Sequence, residues 1–195
     1  NLYRNEPALT LGNLKMGLLP IRRTNIRIRI LYLSLISYMA RIDGQLADKE
    51  LSLLKAMTKR FGIKKNDRRE IFGEHDFPER RIEESFQKLK RNNLHYGFIL
   101  DLIAMALADG VIRDSEQVML AKIAKLIGLS NDEFYNLINF AQVTSVLKTD
   151  ALVDPMYQYA IDMFFHWVRQ KNVPLFKETT LSINEETDAY LKRSL

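Results

Sequence analysis

The sequence predicts an all-α protein, a compact helical bundle with an internal duplication of a helix-turn-helix unit. Three observations predict it. One stretch matches another, in charged, glycine and apolar positions together, at a constant offset of 66 residues. Apolar residues recur at helical spacing through most of the chain, and no useful length alternates with period two in a turn-rich setting. The composition, 47% apolar and 27% charged over 195 residues, is that of a globular chain able to bury a core.

The repeat is read directly. Asp43-Gly44 matches Asp109-Gly110; Met39, Ala40 and Leu46 match Met105, Ala106 and Ile112. Asp48, Glu50 and Leu54 match Asp114, Glu116 and Leu120, and no gap is needed. Met57, Phe61, Gly62 and Ile63 then match Ile123, Ile127, Gly128 and Leu129.

Residues 1–23 read as an N-terminal arm, 24–141 as the domain with copies over 24–73 and 94–141, and 142–195 as a C-terminal helical extension. The first helix is expected over Thr24–Asp43, apolar on most sides and therefore central. Its counterpart is expected over Leu94–Asp109. Gly44 and Gly110 suit the left-handed position that ends a helix. The second helices are expected over Asp48–Phe61 and Asp114–Ile127, with stripes through Leu51, Leu54, Met57 and Phe61 and through Val118, Ala121, Ile123, Ala124 and Ile127. Asn66 starts a short helix ending near Gly73, and Pro78 suits the first turn of one carrying Ile82, Phe86 and Leu89. Ser130 with Glu133 forms a capping box for a helix through Phe134, Leu137 and Phe140. Pro155 opens a last long helix to about Gln170.

Charge and motifs bound the function. The net charge of +5 divides into +9 over residues 1–95 and −4 over 96–195. Basic clusters at Arg22 to Arg29, Lys59 to Arg69 and Arg80 to Arg91 could attract an anionic membrane surface, but solvated helix faces are the favoured reading of them. A nucleic-acid partner is not expected, because no nucleic-acid motif accompanies them. There is no cysteine, hence no disulfide or thiolate metal site, which favours a reducing, cytoplasmic setting. The apolar stretch from Ile26 to Ile42 is interrupted by Arg27, Arg29 and Arg41, so it reads as a buried helix, and a membrane tether upstream of Asn1 stays compatible with the sequence. No nucleophile motif, phosphate loop or dinucleotide fingerprint appears, so no enzyme is expected. Glu74, His75 and Asp76 are consecutive, and consecutive residues rarely converge on one ion; His95 and His166 fall within helices.

The informative chemistry is Asp-Gly followed five residues later by Glu, present twice. Glycine turning the chain before a closing glutamate is the second half of an EF-hand loop. The first half is missing, because Met39 and Arg41, or Met105 and Leu107, stand where its acids belong. If the two copies pack about a pseudo-two-fold axis, Asp43, Glu50, Asp109 and Glu116 meet on one face, and their hard oxygens suit Ca²⁺ or Mg²⁺. Asp48 and Asp114 are further candidates. Helix capping is the competing reading: Glu50 and Glu116 fall at the third helical position, and Asp48 and Asp114 gain from the positive helix end. Both readings stay open on the residues alone.

The run Ala106-Leu107-Ala108-Asp109-Gly110-Val111-Ile112-Arg113-Asp114-Ser115-Glu116, continued through Leu120, Ile123, Ala124, Ile127, Gly128, Leu129 and Ser130, resembles the signature of the tellurite-resistance TerB-like family. It looks closest to the TerB-like domain of membrane-anchored DnaJ-like co-chaperones, and the likeness covers about Ile28 to Phe140. The resemblance implies an all-α duplicated fold and a divalent-metal site at Asp43, Glu50, Asp109 and Glu116, with Asp48 and Asp114 less certain. Ala47 and Arg113 depart from the Ser-type cap usual in that family. The implied function is a non-enzymatic cation-binding sensor or scaffold in bacterial stress response.

The alternative is a protein-interaction or oligomerisation domain. The helix over residues 156–168 carries Tyr157, Ile161, Phe164, Phe165 and Trp167, and one so apolar must be buried in its own core, in a homodimer or against a partner protein.

Overall fold

The computed structural model describes residues 21, 24–42, 44, 46–73, 77–146, 164, 166–168 and 170–173. The described residues are helical with no strand, as the periodicity predicts. The helices are α1 (Ile26–Met39), α2 (Asp48–Arg60), α3 (Arg69–Phe72), α4 (Glu79–Arg91), α5 (His95–Ala106), α6 (Asp114–Ile127) and α7 (Asn131–Val146). Single 3₁₀ turns stand before α3 at Lys65–Arg68 and after α5 at Leu107–Asp109.

Two helices form the centre. In α1, Tyr32 through Ser37 and Met39 are buried, and the helix touches α2, α3, α4 and α5. In α5, buried residues run from Gly97 through Leu100 and on through Leu102, Ile103 and Met105. A helix apolar on most sides has no face to offer water, so its neighbours must surround it. Around α5 those neighbours include α6 and α7. Where the two meet, Tyr32 lies edge-on to Phe61 and Phe98 at ring separations of 5.7 and 5.4 Å, and Phe86 lies edge-on to Phe98 at 5.9 Å. Such edge-to-face pairs add about 0.5–1.5 kcal/mol each beyond area burial.

Both central helices stop earlier than their apolar runs suggest. After Met39 the amides of Arg41 and Ile42 bond back three residues, to Tyr38 and Met39, tightening the chain into a turn. After Ala106 the corresponding tightening is the turn Leu107–Asp109, closed by Gly110 at φ +105°. Apolar periodicity marks what is buried; it does not say whether the last turn is α or 3₁₀.

Some of the basic residues are spent internally. Arg29 donates from Nη1 to the Phe61 carbonyl at the C-terminal end of α2, and from Nε and Nη2 to Thr24. Arg41 donates to the carbonyls of Phe72 and Gly73, at the end of α3. These guanidiniums satisfy orphan carbonyls and complement the negative helix ends. They belong to the scaffold, while Lys59, Lys64, Lys65, Arg80, Arg81 and Lys88 remain exposed. No described helix is long and apolar enough to cross a membrane.

The C-terminal segment supplies a wall of the core. Phe164 stacks on Phe140 at 3.7 Å, and Trp167 lies edge-on to Tyr96 at 6.1 Å. Both are buried against the chain's own core. Tyr157, Ile161 and Phe165 of the same expected interaction set lie outside the described residues, as do the loop residues Glu74, His75 and Asp76. Val118, placed by its spacing on the buried stripe of α6, is 55% exposed. The buried face of α6 is narrower than that stripe and consists of Leu120, Ile123, Ala124 and Ile127.

Candidate functional site

The two acidic turns have the same local construction. Gly44 at φ +140° precedes α2, and Gly110 at φ +105° precedes α6. Both values lie where a Cβ is disfavoured, which is why glycine occupies these turns. Three residues beyond each glycine the chain is extended, at Ala47 and Arg113, and the helix begins at the next residue. There Glu50 Oε2 accepts from the Ala47 amide at 2.8 Å, and Glu116 Oε2 accepts from the Arg113 amide at 2.8 Å. Ala47 and Arg113 carry no side-chain acceptor, so each is the reciprocal half of a capping box without the other half. Capping therefore engages one oxygen, Oε2, of each glutamate.

The fold brings both turns to one cleft. α2 packs across the turn Leu107–Asp109 and against α5, and residues from the starts of α2 and α6 line the same cleft. A cavity of about 390 Å³ lies between them. Asp48, Glu50, Asp109 and Glu116 line it, together with Lys49 and Arg113. Asp114, exposed at the first position of α6, is not among the lining residues, and Asp43 lies outside the described residues. Beneath the charged rim the lining is apolar: Met39, Leu102, Met105, Met119, Leu120 and Ile123.

Arg113 is a cation already in place. Its Nη2 is 3.6 Å from Asp109 Oδ2, and its Nη1 is 3.8 Å from Glu116 Oε1. The guanidinium side chain is 70% exposed, so each pair is worth no more than about 0–1 kcal/mol. Asp109 Oδ1 also takes a long bond, 3.5 Å, from the Val111 amide, which steadies the turn. At the other turn Ala47 stands where Arg113 would. Among the described residues no three acidic or histidine side chains are yet gathered closely enough to hold an ion. Capping at Glu50 and Glu116 is thus a plain feature of the structure, and ligation has to use the oxygens that capping leaves.

Sequence reasoning passed over two features. Asp101, the one acid in an otherwise apolar helix, accepts from the Tyr32 hydroxyl at 2.6 Å across the central pair of helices. Burial pushes its carboxyl up to about 6, against the pull of the Tyr32 hydrogen bond and of Arg60. The signal was available in Asp101 itself, a lone carboxylate on α5, but its partner lies 69 residues away. The second is the methionine floor of the cleft. Met39 and Met105 are a matched pair of the repeat, yet nothing local says that they line a cavity.

A second hollow, of about 560 Å³, lies beside α7 and is lined by Ser130, Glu133, Asn136, Trp167 and Lys171, among others. Of its two carboxylates, Asp132 and Glu133, the second is committed: Glu133 accepts from the Tyr96 hydroxyl at 2.6 Å and from the Ser130 amide at 2.8 Å, and its own amide donates to the Ser130 hydroxyl at 3.3 Å.

Comparison with known proteins bears on the cleft, because the matched stretch contains both turns. A family model described as "Tellurite resistance protein TerB" matches residues 29–139, more than half of the chain. No curated protein and no solved structure matches. The match is to the family and does not single out its co-chaperone branch. A duplicated pattern of acidic turns, an all-helical fold and this match over both turns together place the chain in the TerB family.

Proposed function

We propose that this TerB-family domain is a non-enzymatic binding module whose working face is the cleft between the acidic turns, with a divalent cation, Ca²⁺ or Mg²⁺, as its ligand. The observation that carries the reading is that carboxylates from both turns line one cavity. Separate faces would have left only two capped helices.

The donor chemistry fits. Hard divalent cations take carboxylate oxygens, and Glu50 and Glu116 each keep Oε1 while Oε2 caps its helix. Asp109 and Asp48 are exposed at the same rim. Arg113 stands in for the cation between Asp109 and Glu116. Its exposed pairs are cheap to break, so an entering ion exchanges with a guanidinium rather than filling an empty cage. A rim that trades an internal cation for a free one changes the position of Arg113, and that suits a sensor or scaffold in a stress response.

Glutamine separates the two roles of the glutamates. A Gln side-chain oxygen still caps at the third helical position but is a poor ligand for a hard cation. Glu50→Gln with Glu116→Gln should keep the melting temperature and lose the heat of Ca²⁺ or Mg²⁺ binding in calorimetry. Glu50→Ala with Glu116→Ala should lose both the binding and about 1 kcal/mol per helix. A wild-type protein that gives no heat and no rise in melting temperature with either ion would remove the reading.

A further inference from the structure

We propose that the same cleft is a docking groove for a short basic amphipathic helix of a partner protein, which seats apolar side chains on the methionine floor and points Lys or Arg at the acidic rim. The proposal goes beyond the cation reading and does not need an ion.

The floor carries the first part of the argument. Met39 and Met105 come from the central helices α1 and α5 and Met119 from α6, and all three line the cavity. Methionine is unbranched and polarisable, so a surface built from it remodels around whichever apolar side chain enters. The volume, about 390 Å³, falls within the ordinary range of binding pockets. No polar side chain is among the floor residues, so nothing deep in the cleft would orient a small polar metabolite. Large apolar side chains are also exposed next to the turns: Ile42 is 50% exposed and Val111 is 69% exposed.

The rim carries the second part. Four carboxylates, Asp48, Glu50, Asp109 and Glu116, face two cations, Lys49 and Arg113. This negative surface sits on a chain whose net charge is +5. An anionic lipid or a nucleic acid would meet repulsion here, whereas a cationic partner is steered in. An apolar floor under an acidic rim matches a helix with apolar residues at positions i, i+3 or i+4 and basic residues beside them. Arg113 again acts as the placeholder, because an incoming Lys or Arg can take its carboxylates.

The test uses the whole chain with methyl-labelled methionine, in chelator so that no ion contributes. The probe is a synthetic amphipathic helix of Leu and Lys, compared with a peptide of the same charge in which every Leu is Ser. The Leu/Lys peptide should saturate and shift the methyl signals of Met39, Met105 and Met119. Met57, buried on α2 but not lining the cavity, should stay still. The Ser/Lys peptide should bind at least about 10-fold more weakly, and so should the Leu/Lys peptide to the Asp48→Lys, Asp109→Lys variant. Absence of saturable binding overturns the proposal, as do shifts confined to other methionines. Equal binding of the two peptides also overturns it, because attraction would then be charge alone. Ion binding without peptide binding leaves the cation reading standing and this one refuted; the reverse separates them the other way.

Discussion

Replacing Asp101 by Asn should remove a pH dependence of stability that originates at the centre of the bundle. Asp101 accepts from the Tyr32 hydroxyl at 2.6 Å, and its carboxyl is pushed by burial from 3.8 to about 6. The unfolded chain gives up this proton near 3.8. The folded chain keeps it to about 6, so in between the folded state binds more protons and unfolding becomes easier as pH rises. Below that window both states are protonated and the contribution is fully present; above it the contribution is gone. A shift of about two units at about 1.4 kcal/mol each gives roughly 3 kcal/mol across the window. Asn still accepts the Tyr32 hydrogen bond and has no proton to lose. Urea midpoints for wild type and Asp101→Asn should therefore draw apart as pH rises from 4 to 7, with the variant gaining. Tyr32→Phe removes the bond that favours the carboxylate and should move the window to higher pH. A difference curve that stays level from pH 4 to 7 would refute the reasoning.

Other outcomes follow from the same geometry. His95 behaves oppositely: burial, then Lys90, lowers it to about 4, so its contribution is present above 6.5 and lost as pH falls toward 4, and His95→Gln should soften acid unfolding in the same urea series. Phe98→Ala removes a fully buried ring that packs edge-on to Tyr32 and Phe86, and should cost about 3–5 kcal/mol by urea denaturation. Gly128→Ala puts a Cβ at φ +93° and 2.6 Å from Lys90 Nζ; Lys90 can swing away, but the backbone cost of about 1–2 kcal/mol remains and should appear in the melting temperature. Arg113→Gln removes the resident cation and should tighten Ca²⁺ or Mg²⁺ binding measured by calorimetry.

The features legible in the sequence were those that local chemistry writes. Ser130 and Glu133 make both bonds of the expected capping box, and Pro78 stands immediately before α4. The acidic turns were legible for the same reason, since a glycine, an extended residue and a glutamate three residues later specify a turn and a cap within one short window. What escaped depends on distant partners. Nothing near Arg29 or Arg41 says that each will hold carbonyls about thirty residues further along the chain. Asp101 and Tyr32 meet only because α1 and α5 pack together. Val118 fits a helical stripe by spacing, but the width of the buried face is set by the neighbours of α6. The methionine floor of the cleft was not foreseen, because apolar spacing does not distinguish a packed core position from the wall of a cavity.

A crystal grown in Mn²⁺, whose anomalous signal marks an ion directly, tests the central claim. A peak between the two turns, with Glu50 and Glu116 among its oxygen ligands and Arg113 turned away from Asp109, is the predicted result. Arg113 still bridging Asp109 and Glu116, with no anomalous peak in the cleft, would contradict it and leave both glutamates as helix caps.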